Sequence, residues 1–483
     1  MNKKQLSIIS YIYLILPIII FALGWLKPII SIPASIALVI ILIIKCVKDK
    51  DADDEIFINK KRLLLILVFV FLICITAGQG NLFYQSDDWH WRNAIFRDLI
   101  NMEWPVHYDN TNATLTYYTG FWLLPAVIGK ICLIFGETTS WFIANITTLI
   151  WCSIGVSLCI LWIIKLLKVD TKKKLLIMLV VFFGFSGLDI IGILLMNEME
   201  IIRSLHIEWW AGYFQFSSII TQLFWVYNQC VAAWLIVLMF IGEKKINNYF
   251  LLFLLCLPYA PLPMIGLIPL FAVRGVKYLI EKIKEKNILE FIKEMFSIQN
   301  ILALITILPI YYLYYCSNSA IGSSGRFRVD TDILTTYGMV YLAIFYFLEV
   351  GIYAIFLAKK NMKNELFWTA TISLLFIPLF RLGLDRDFAM RASIPSLLII
   401  TYYLIEYMLN IDTKSIKNTI LIIIFALGCI TPIIEYSRAF YTILQTGRIN
   451  AVADKIVTFT DKEIKEYKNF MSPDEGLFKY ISK

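Results

Sequence analysis

The sequence predicts an all-α membrane protein, a polytopic helical bundle of about thirteen transmembrane helices with juxtamembrane helices in a first large external loop. Three observations carry this reading. Hydrophobic residues make up 59% of the 483 positions. Apolar runs long enough to cross hydrocarbon recur along the chain, and lysines cluster in every second loop between them. Such a composition leaves little room for a soluble fold.

Taken in order, apolar runs at roughly 7–26, 28–47, 62–79, 141–164, 174–196, 229–242, 248–258, 261–273, 299–316, 337–358, 366–382, 393–409 and 418–436 each read as one crossing. The first begins after Met1-Asn2-Lys3-Lys4, ends without a small-residue cleavage site, and is followed at once by a second through Lys27-Pro28. It therefore reads as a retained hairpin rather than a removed signal peptide. Three units are expected: an N-terminal hairpin with its cytoplasmic loop over 1–61, a transmembrane core over 62–436 holding an external loop at 80–140, and a short external tail over 437–483.

Lysines gather from Lys45 to Lys61, Lys165 to Lys174, at Lys244-Lys245, and from Lys277 to Lys293, Lys359 to Lys363 and Lys414 to Lys417. The positive-inside rule places these loops and the N-terminus in the cytoplasm, and the C-terminus outside, for a multi-pass protein of the plasma (cytoplasmic) membrane. The opposite loops are then external: 80–140, 197–228, the corner Pro258-Tyr259-Ala260-Pro261, 317–336, 383–392 and the tail from about 437. This alternation requires that 119–136 not cross, so it reads as a juxtamembrane or re-entrant helix. The net charge of +8 is thus largely topological, and nucleic acid is not an expected partner. The nine cysteines lie in or beside apolar runs without paired spacing, as packing residues rather than disulfides or a thiolate metal site.

On that topology arginine and lysine separate by side. Arg92, Arg97, Arg203, Arg326, Arg328, Arg381, Arg386 and Arg391 are external, where lysine is nearly absent before the tail. Guanidinium grips phosphate or carboxylate through two parallel hydrogen bonds and keeps its charge in a partly dry cavity, so the outer face looks built to hold an oxyanion. All three histidines, His90, His107 and His206, fall on the same side.

The densest chemistry is Gln85-Ser86-Asp87-Asp88-Trp89-His90-Trp91-Arg92. Trp89 to Met102 has helical potential, placing Arg92 four residues after Asp88 on one face, and Trp104-Pro105 ends that helix. Asp87 and Asp88 can serve as a general base oriented by its neighbour, or as oxygen ligands for a divalent cation such as Mg or Mn. The bland alternative is that Asp87 caps the helix while Asp88 simply pairs with Arg92.

A second external segment carries His206 and Glu208, too close to share a helical face and so expected on an irregular loop. It runs on through aromatics to Trp225-Val226-Tyr227-Asn228-Gln229, which suit either sugar rings or the headgroup belt. The Pro258–Pro263 corner separates two runs too short to cross fully, a broken hairpin of the kind found where backbone lines a cavity. Arg326 and Arg328 lie in a glycine-rich loop able to fold over phosphate. Arg386 or Arg391, at the mouth of a span, is the favoured phosphate clamp. Asp189 sits inside an apolar run and must be paired or face water, its partner not readable. The stretch Lys277 to Met295 reads as an amphipathic surface helix, and Leu477-Phe478-Lys479-Tyr480 as an end that tucks back onto the bundle.

The Asp-Asp near the start of a long first external loop is followed by Tyr117-Tyr118-Thr119-Gly120-Phe121-Trp122-Leu123-Leu124-Pro125, Gly129-Lys130 and Phe135-Gly136. With the order of spans, this resembles the GT-C superfamily of polytopic glycosyltransferases that use polyprenyl-phosphate-linked sugars. The motif likeness covers 84–136; an extra N-terminal hairpin and the lack of a large soluble C-terminal domain depart from several members. The resemblance implies an acidic residue of the first loop, Asp87 or Asp88, as base or metal carboxylate, and a lipid-phosphate donor held by cationic side chains.

The expectation is an inverting transfer of sugar from a polyprenyl-phosphate donor to a glycan or other cell-envelope acceptor at the outer face. Asp87 or Asp88 would act as base, Arg92, Arg386 and Arg391 would receive the leaving lipid phosphate, and His90, His206 and Glu208 would contact acceptor or metal. Membrane lipid is the other expected partner. The alternative is a transporter or flippase for a lipid-linked or anionic envelope precursor, built on broken helices.

Overall fold

The computed structural model describes residues 3–48, 58–109, 112–198, 200, 206–212, 214–318, 327–329, 331–382, 387–449, 458–460, 471–473 and 477–483. It is an all-α membrane protein. Among the described residues nine helices are long and apolar enough to cross a membrane, and shorter apolar helices occupy Leu123–Phe135, Glu365–Leu379 and Ile394–Met408.

Helices α1 (Lys3–Trp25) and α2 (Pro28–Lys48) form an antiparallel hairpin whose prolines sit inside the helices. Pro17 cannot donate to the carbonyl of Tyr13, one turn back. The hydroxyl of Tyr259 fills the vacancy, donating at 3.2 Å to Tyr13 O and 2.8 Å to Leu14 O. Helix α3 (Lys60–Thr76) leads into the first loop, which holds α4 (Trp89–Asn101), β1 (His107–Tyr108), β2 (Ala113–Leu115) and α5 (Leu123–Cys132). Ten helical residues rise about 15 Å, half the hydrocarbon thickness, so α5 is too short to cross alone.

The run expected over 174–196 is broken. Helix α7 (Lys172–Gly184) stops at Phe185, whose backbone is extended, and α8 (Asp189–Met196) restarts after Leu188; between them and α5 stands the long α6 (Glu137–Leu167). The crossing expected over 229–242 begins ten residues earlier, as α9 (Ile219–Gly242), capped by Ser218 and interrupted at Val226. Trp225 to Gln229 therefore lie within this element on either side of its interruption, with Tyr227, Asn228 and Gln229 buried rather than in an external aromatic belt. Thr221, Gln222, Asn228 and Gln229 hid the crossing by breaking its apolar run, and they pack against other helices rather than headgroups.

The two short runs flanking the proline corner are unequal: α10 (Tyr249–Leu255) has seven residues and α11 (Pro261–Lys284) has 24. After α12 (Ile288–Met295) and α13 (Ile298–Cys316) comes β3 (Arg328–Val329). Helices α14 (Thr336–Tyr346) and α15 (Ile352–Ala358) are joined by a π-helical turn, Phe347–Gly351. Helix α16 (Glu365–Phe376), β4 (Phe380–Arg381), α17 (Asp387–Ala392), α18 (Ile394–Met408), α19 (Ile416–Gly428) and α20 (Ile430–Thr446) complete the bundle. Helix α20 continues past 436 to Thr446 and carries Arg438.

The lysine-bearing loops meet at one end, tied by Lys245–Glu294 at 3.1 Å, Lys277–Glu365 at 3.0 Å and Lys360–Glu406 at 3.5 Å. Helix α13 leaves that end, where Ser297 donates to Asn247 O at 2.6 Å, and reaches the other, where Asn318 donates to Thr116 O at 2.8 Å. The first loop and the proline corner also meet at this second end, Gly120 N donating to Pro258 O at 3.2 Å. A Cβ on Gly120 would stand 2.7 Å from that oxygen, so the approach requires glycine.

The end of the chain closes over the same face. Strand β5 (Met471–Pro473) pairs antiparallel with β2, making a three-stranded sheet β1-β2-β5. Buried Asp98 of α4 accepts from Tyr108 Oη at 2.9 Å, Thr458 Oγ1 at 2.5 Å and Phe459 N at 3.1 Å. Lys27 N donates to Ile481 O at 2.9 Å, and Phe478 packs on Phe21 and Tyr314.

Candidate functional site

Helix α4 is held in place by its aromatic and amide side chains. Trp89 stacks on Tyr227 at 4.5 Å and donates to Phe224 O at 2.9 Å, while Asn93 donates to Gln85 at 2.9 Å. Its N-cap is Asp88, whose side chain makes no capping bond and instead accepts from Arg92 Nη2 at 3.0 Å. The guanidinium is buried, 5% exposed, and the carboxylate is 44% exposed. Helix α17 repeats the device some 300 positions later: Arg391 pairs with Asp387 one turn earlier, the side chains 10% and 53% exposed.

Both arginines act on one target. Tyr117 donates to Tyr118 at 2.5 Å between their hydroxyls, with ring centroids 3.7 Å apart. The backbone beneath them is pinned by Tyr314, which accepts from Tyr117 N at 3.0 Å and donates to Tyr117 O at 3.0 Å. Burial and then the Tyr118 phenol push the Tyr117 phenol up, opposed by Arg92 and Arg391. Burial likewise pushes Tyr118 up, opposed first by Arg391. The phenols are thus neutral hydrogen-bonding groups lying in the field of two guanidiniums. Arg92 Nη1 and Arg391 Nε are buried without an acceptor among the described residues. Two cations with unused donors, each steadied by a half-exposed carboxylate, have the chemistry that suits an oxyanion.

Asp87 is exposed at the start of this helix, and its charge reaches Tyr84. Burial pushes the Tyr84 phenol up, with Arg438 opposing and Glu435 reinforcing. This links the loop to a second cluster. His206 Nδ1 lies 2.8 Å from Glu435 Oε1 and 3.2 Å from Arg438 Nη1, while Arg438 pairs with Glu435 Oε2 and stands over the Trp225 ring at 4.8 Å. Glu208, two residues on, turns elsewhere: it accepts from Ser218 N at 2.9 Å and Gln215 Nε2 at 3.0 Å. Both come from the irregular segment 206–212, with a 3-10 turn at Ile207–Ala211. Burial pushes Glu208 up to about 8, helped by Asp189 and Glu435.

The structure therefore pairs Asp88 with Arg92, sets Arg92 and Arg391 in electrostatic reach of the same two tyrosines, and gathers His206 with Glu435 and Arg438. His90 is buried against Trp91 with ring centroids 4.7 Å apart. Arg328 is exposed in β3, in register with Arg381 of β4. Arg203, Arg326 and Arg386 lie outside the described residues. Arg438 and Glu435 escaped sequence reading because they flank the point where the apolar run fades. Glu349 escaped too, although an acid inside the run 337–358 was a signal of the same kind as Asp189.

Of the two carboxylates expected to hold a divalent ion, Asp88 is engaged by Arg92 and Asp87 is exposed, and among the described residues no group of three or more His, Cys, Asp or Glu side chains is arranged to hold a metal. An apolar groove of about 380 Å³, lined by Tyr249, Phe253, Phe271 and Phe291 among others, lies among α10, α11 and α12 beside the lysine loops and away from these charges. Comparison with protein families, with curated proteins and with solved structures gives no match to this chain.

Proposed function

We propose that the protein is an integral-membrane glycosyltransferase of GT-C type. It moves a sugar from a polyprenyl-phosphate donor to a cell-envelope acceptor, with the arginine-bearing end facing outward. The observation that supports this best is that Arg92 and Arg391, each paired with a carboxylate of its own helix, keep buried donors with no acceptor among the described residues, both in electrostatic reach of Tyr117 and Tyr118. Arg92 and Arg391 take up the charge that develops on the departing lipid phosphate, preorganised by Asp88 and Asp387 so that no dipole must reorient as the bond breaks. Asp87, exposed next to the Asp88 N-cap of α4, accepts the proton of the attacking acceptor hydroxyl. Asp88 is then a positioning residue for Arg92 rather than the base.

A second reading, a transporter or flippase of a lipid-linked or anionic precursor, is favoured by the broken helix at 185–188, the π-helical turn at Phe347–Gly351 and the half-length α10. The deciding experiment incubates purified protein in vesicles with radiolabelled polyprenyl-phosphate sugars and follows both label transfer and transbilayer movement. Transfer lost in Asp87→Asn supports the enzyme; movement without transfer, unaffected by that substitution, supports the transporter.

A further inference from the structure

Three irregular backbone segments meet inside the apolar bundle, and each delivers a carboxyl group. The break between α7 and α8 carries Asp189, the π-helical turn carries Glu349, and the 3-10 turn carries Glu208. All three are at most 2% exposed. The backbones are joined directly, Leu188 N donating to Leu348 O at 3.2 Å, and Tyr353 donating to Ser186 O at 3.0 Å. Such distortions are kept in a bundle where a function requires the freed groups.

The donors have been counted out unevenly. Asp189 Oδ2 accepts from Thr431 at 2.6 Å and Ser186 at 3.1 Å. Glu349 Oε1 accepts from Trp210 Nε1 at 3.1 Å. Among the described residues Glu349 Oε2 is buried with no donor, and it lies against Gly187, two residues before Asp189, where the Leu188–Leu348 backbone bond draws the two carboxyl-bearing segments together. Two carboxyl groups brought together in a buried, donor-poor place are accommodated when one of them carries hydrogen and donates to the other. Gly187 permits it, since a Cβ there would collide with Glu349 Oε2. The ionisable groups around the pair are Glu208 from the 3-10 turn, Tyr353 from α15, Cys429 between α19 and α20, and, beyond Glu208, Glu435 with its partners Arg438 and His206. The cations are thus committed to Glu435, and the nearest other acid adds negative charge.

We propose that Asp189 and Glu349 form a proton-binding site, holding one shared proton between their carboxyl groups at the junction of the α7–α8 break and the π-helical turn. Loss of that proton leaves two like charges in contact within hydrocarbon, which drives the break and the turn apart. The site is thereby a switch set by protonation, independent of what the arginine site binds.

The test is infrared difference spectroscopy of the purified full-length chain at neutral pH in H₂O and D₂O, in a Glu208→Gln background that removes the third carboxyl. The expected result is a deuterium-sensitive C=O stretch of a protonated carboxyl, lost in Asp189→Asn and lost equally in Glu349→Gln, since either amide supplies the missing donor. A band that survives either substitution overturns a shared proton, as does the absence of any such band in the background protein, a measurement open even if a variant fails to fold. Thermal stabilisation by Na⁺ over K⁺ that disappears in Glu349→Gln would assign the site to a metal cation instead and also overturn the proposal.

Discussion

The hydroxyls of Tyr117 and Tyr118, neighbours in sequence, lie 2.5 Å apart, and the two guanidiniums that act on them come from α4 and α17. Arg92→Gln and Arg391→Gln should each weaken binding of a polyprenyl phosphate by about 10- to 100-fold, the range for losing one charge-assisted donor pair. The double variant should fall short of the product of the two, because both cations serve one anion. Isothermal titration with the lipid phosphate checks this; unchanged affinity in both single variants would remove the oxyanion site.

Asp87 and Asp88 should separate kinetically. Asp87→Asn should lower kcat by about 100-fold or more with little change in donor KM, as removal of a base does. Asp88→Asn should raise donor KM about 10-fold, because Arg92 loses its orienting carboxylate. Steady-state rates over a range of donor concentrations distinguish the two patterns.

The sequence made the Asp88–Arg92 pair legible because helical spacing alone puts those side chains on one face. Arg391 was legible as a cation at the mouth of a span, but its convergence on Tyr117 and Tyr118 was not, since nothing local connects residues in α17 to a turn in the first loop. The true start of α9 was hidden for a different reason: Gln222, Asn228 and Gln229 look like loop residues until neighbouring helices bury them. Strands of two or three residues, such as β1, β2 and β5, have no period to detect. Charge placement was a better guide to which loops share an end, because Lys245, Lys277 and Lys360 do pair there with Glu294, Glu365 and Glu406.

Glu208 should give stability an alkaline limit. Its carboxyl goes from an ordinary value of 4.5 to about 8 on folding, so the folded state holds the proton more tightly. The resulting stabilisation is full below the unfolded value and is lost as pH rises through about 8. Glu208→Gln should flatten the thermal stability profile between those limits by an amount on the order of a few kcal/mol. An identical profile in parent and variant would contradict the burial of this group.

Tyr259→Phe should cost about 1 kcal/mol of stability, because the carbonyl opposite Pro17 loses its donor inside the bundle. Pro17→Ala in the same background should recover part of that loss by restoring a backbone N–H, as read by denaturation in detergent. Failure of that rescue would mean that Tyr259 does not compensate for the proline.

Asp98→Ala should destabilise the first loop by about 1–3 kcal/mol and release the residues that close over it, because Thr458 and Phe459 lose their acceptor. Limited proteolysis should then cut near Thr458 faster than in the parent, with helix content unchanged by circular dichroism.

That anchorage also fixes an order of events during biosynthesis. Helix α4 and β2 leave the translocation machinery early, but the strand and the two donors that complete them are translated hundreds of residues later. Until then Asp98 lacks its bonds from Thr458 and Phe459, and the edge of β2 that takes β5 is unpaired. The cover over α4 is thus completed late, and a ribosome that stalls after α20 would leave the sheet without its third strand and Asp98 without two of its donors.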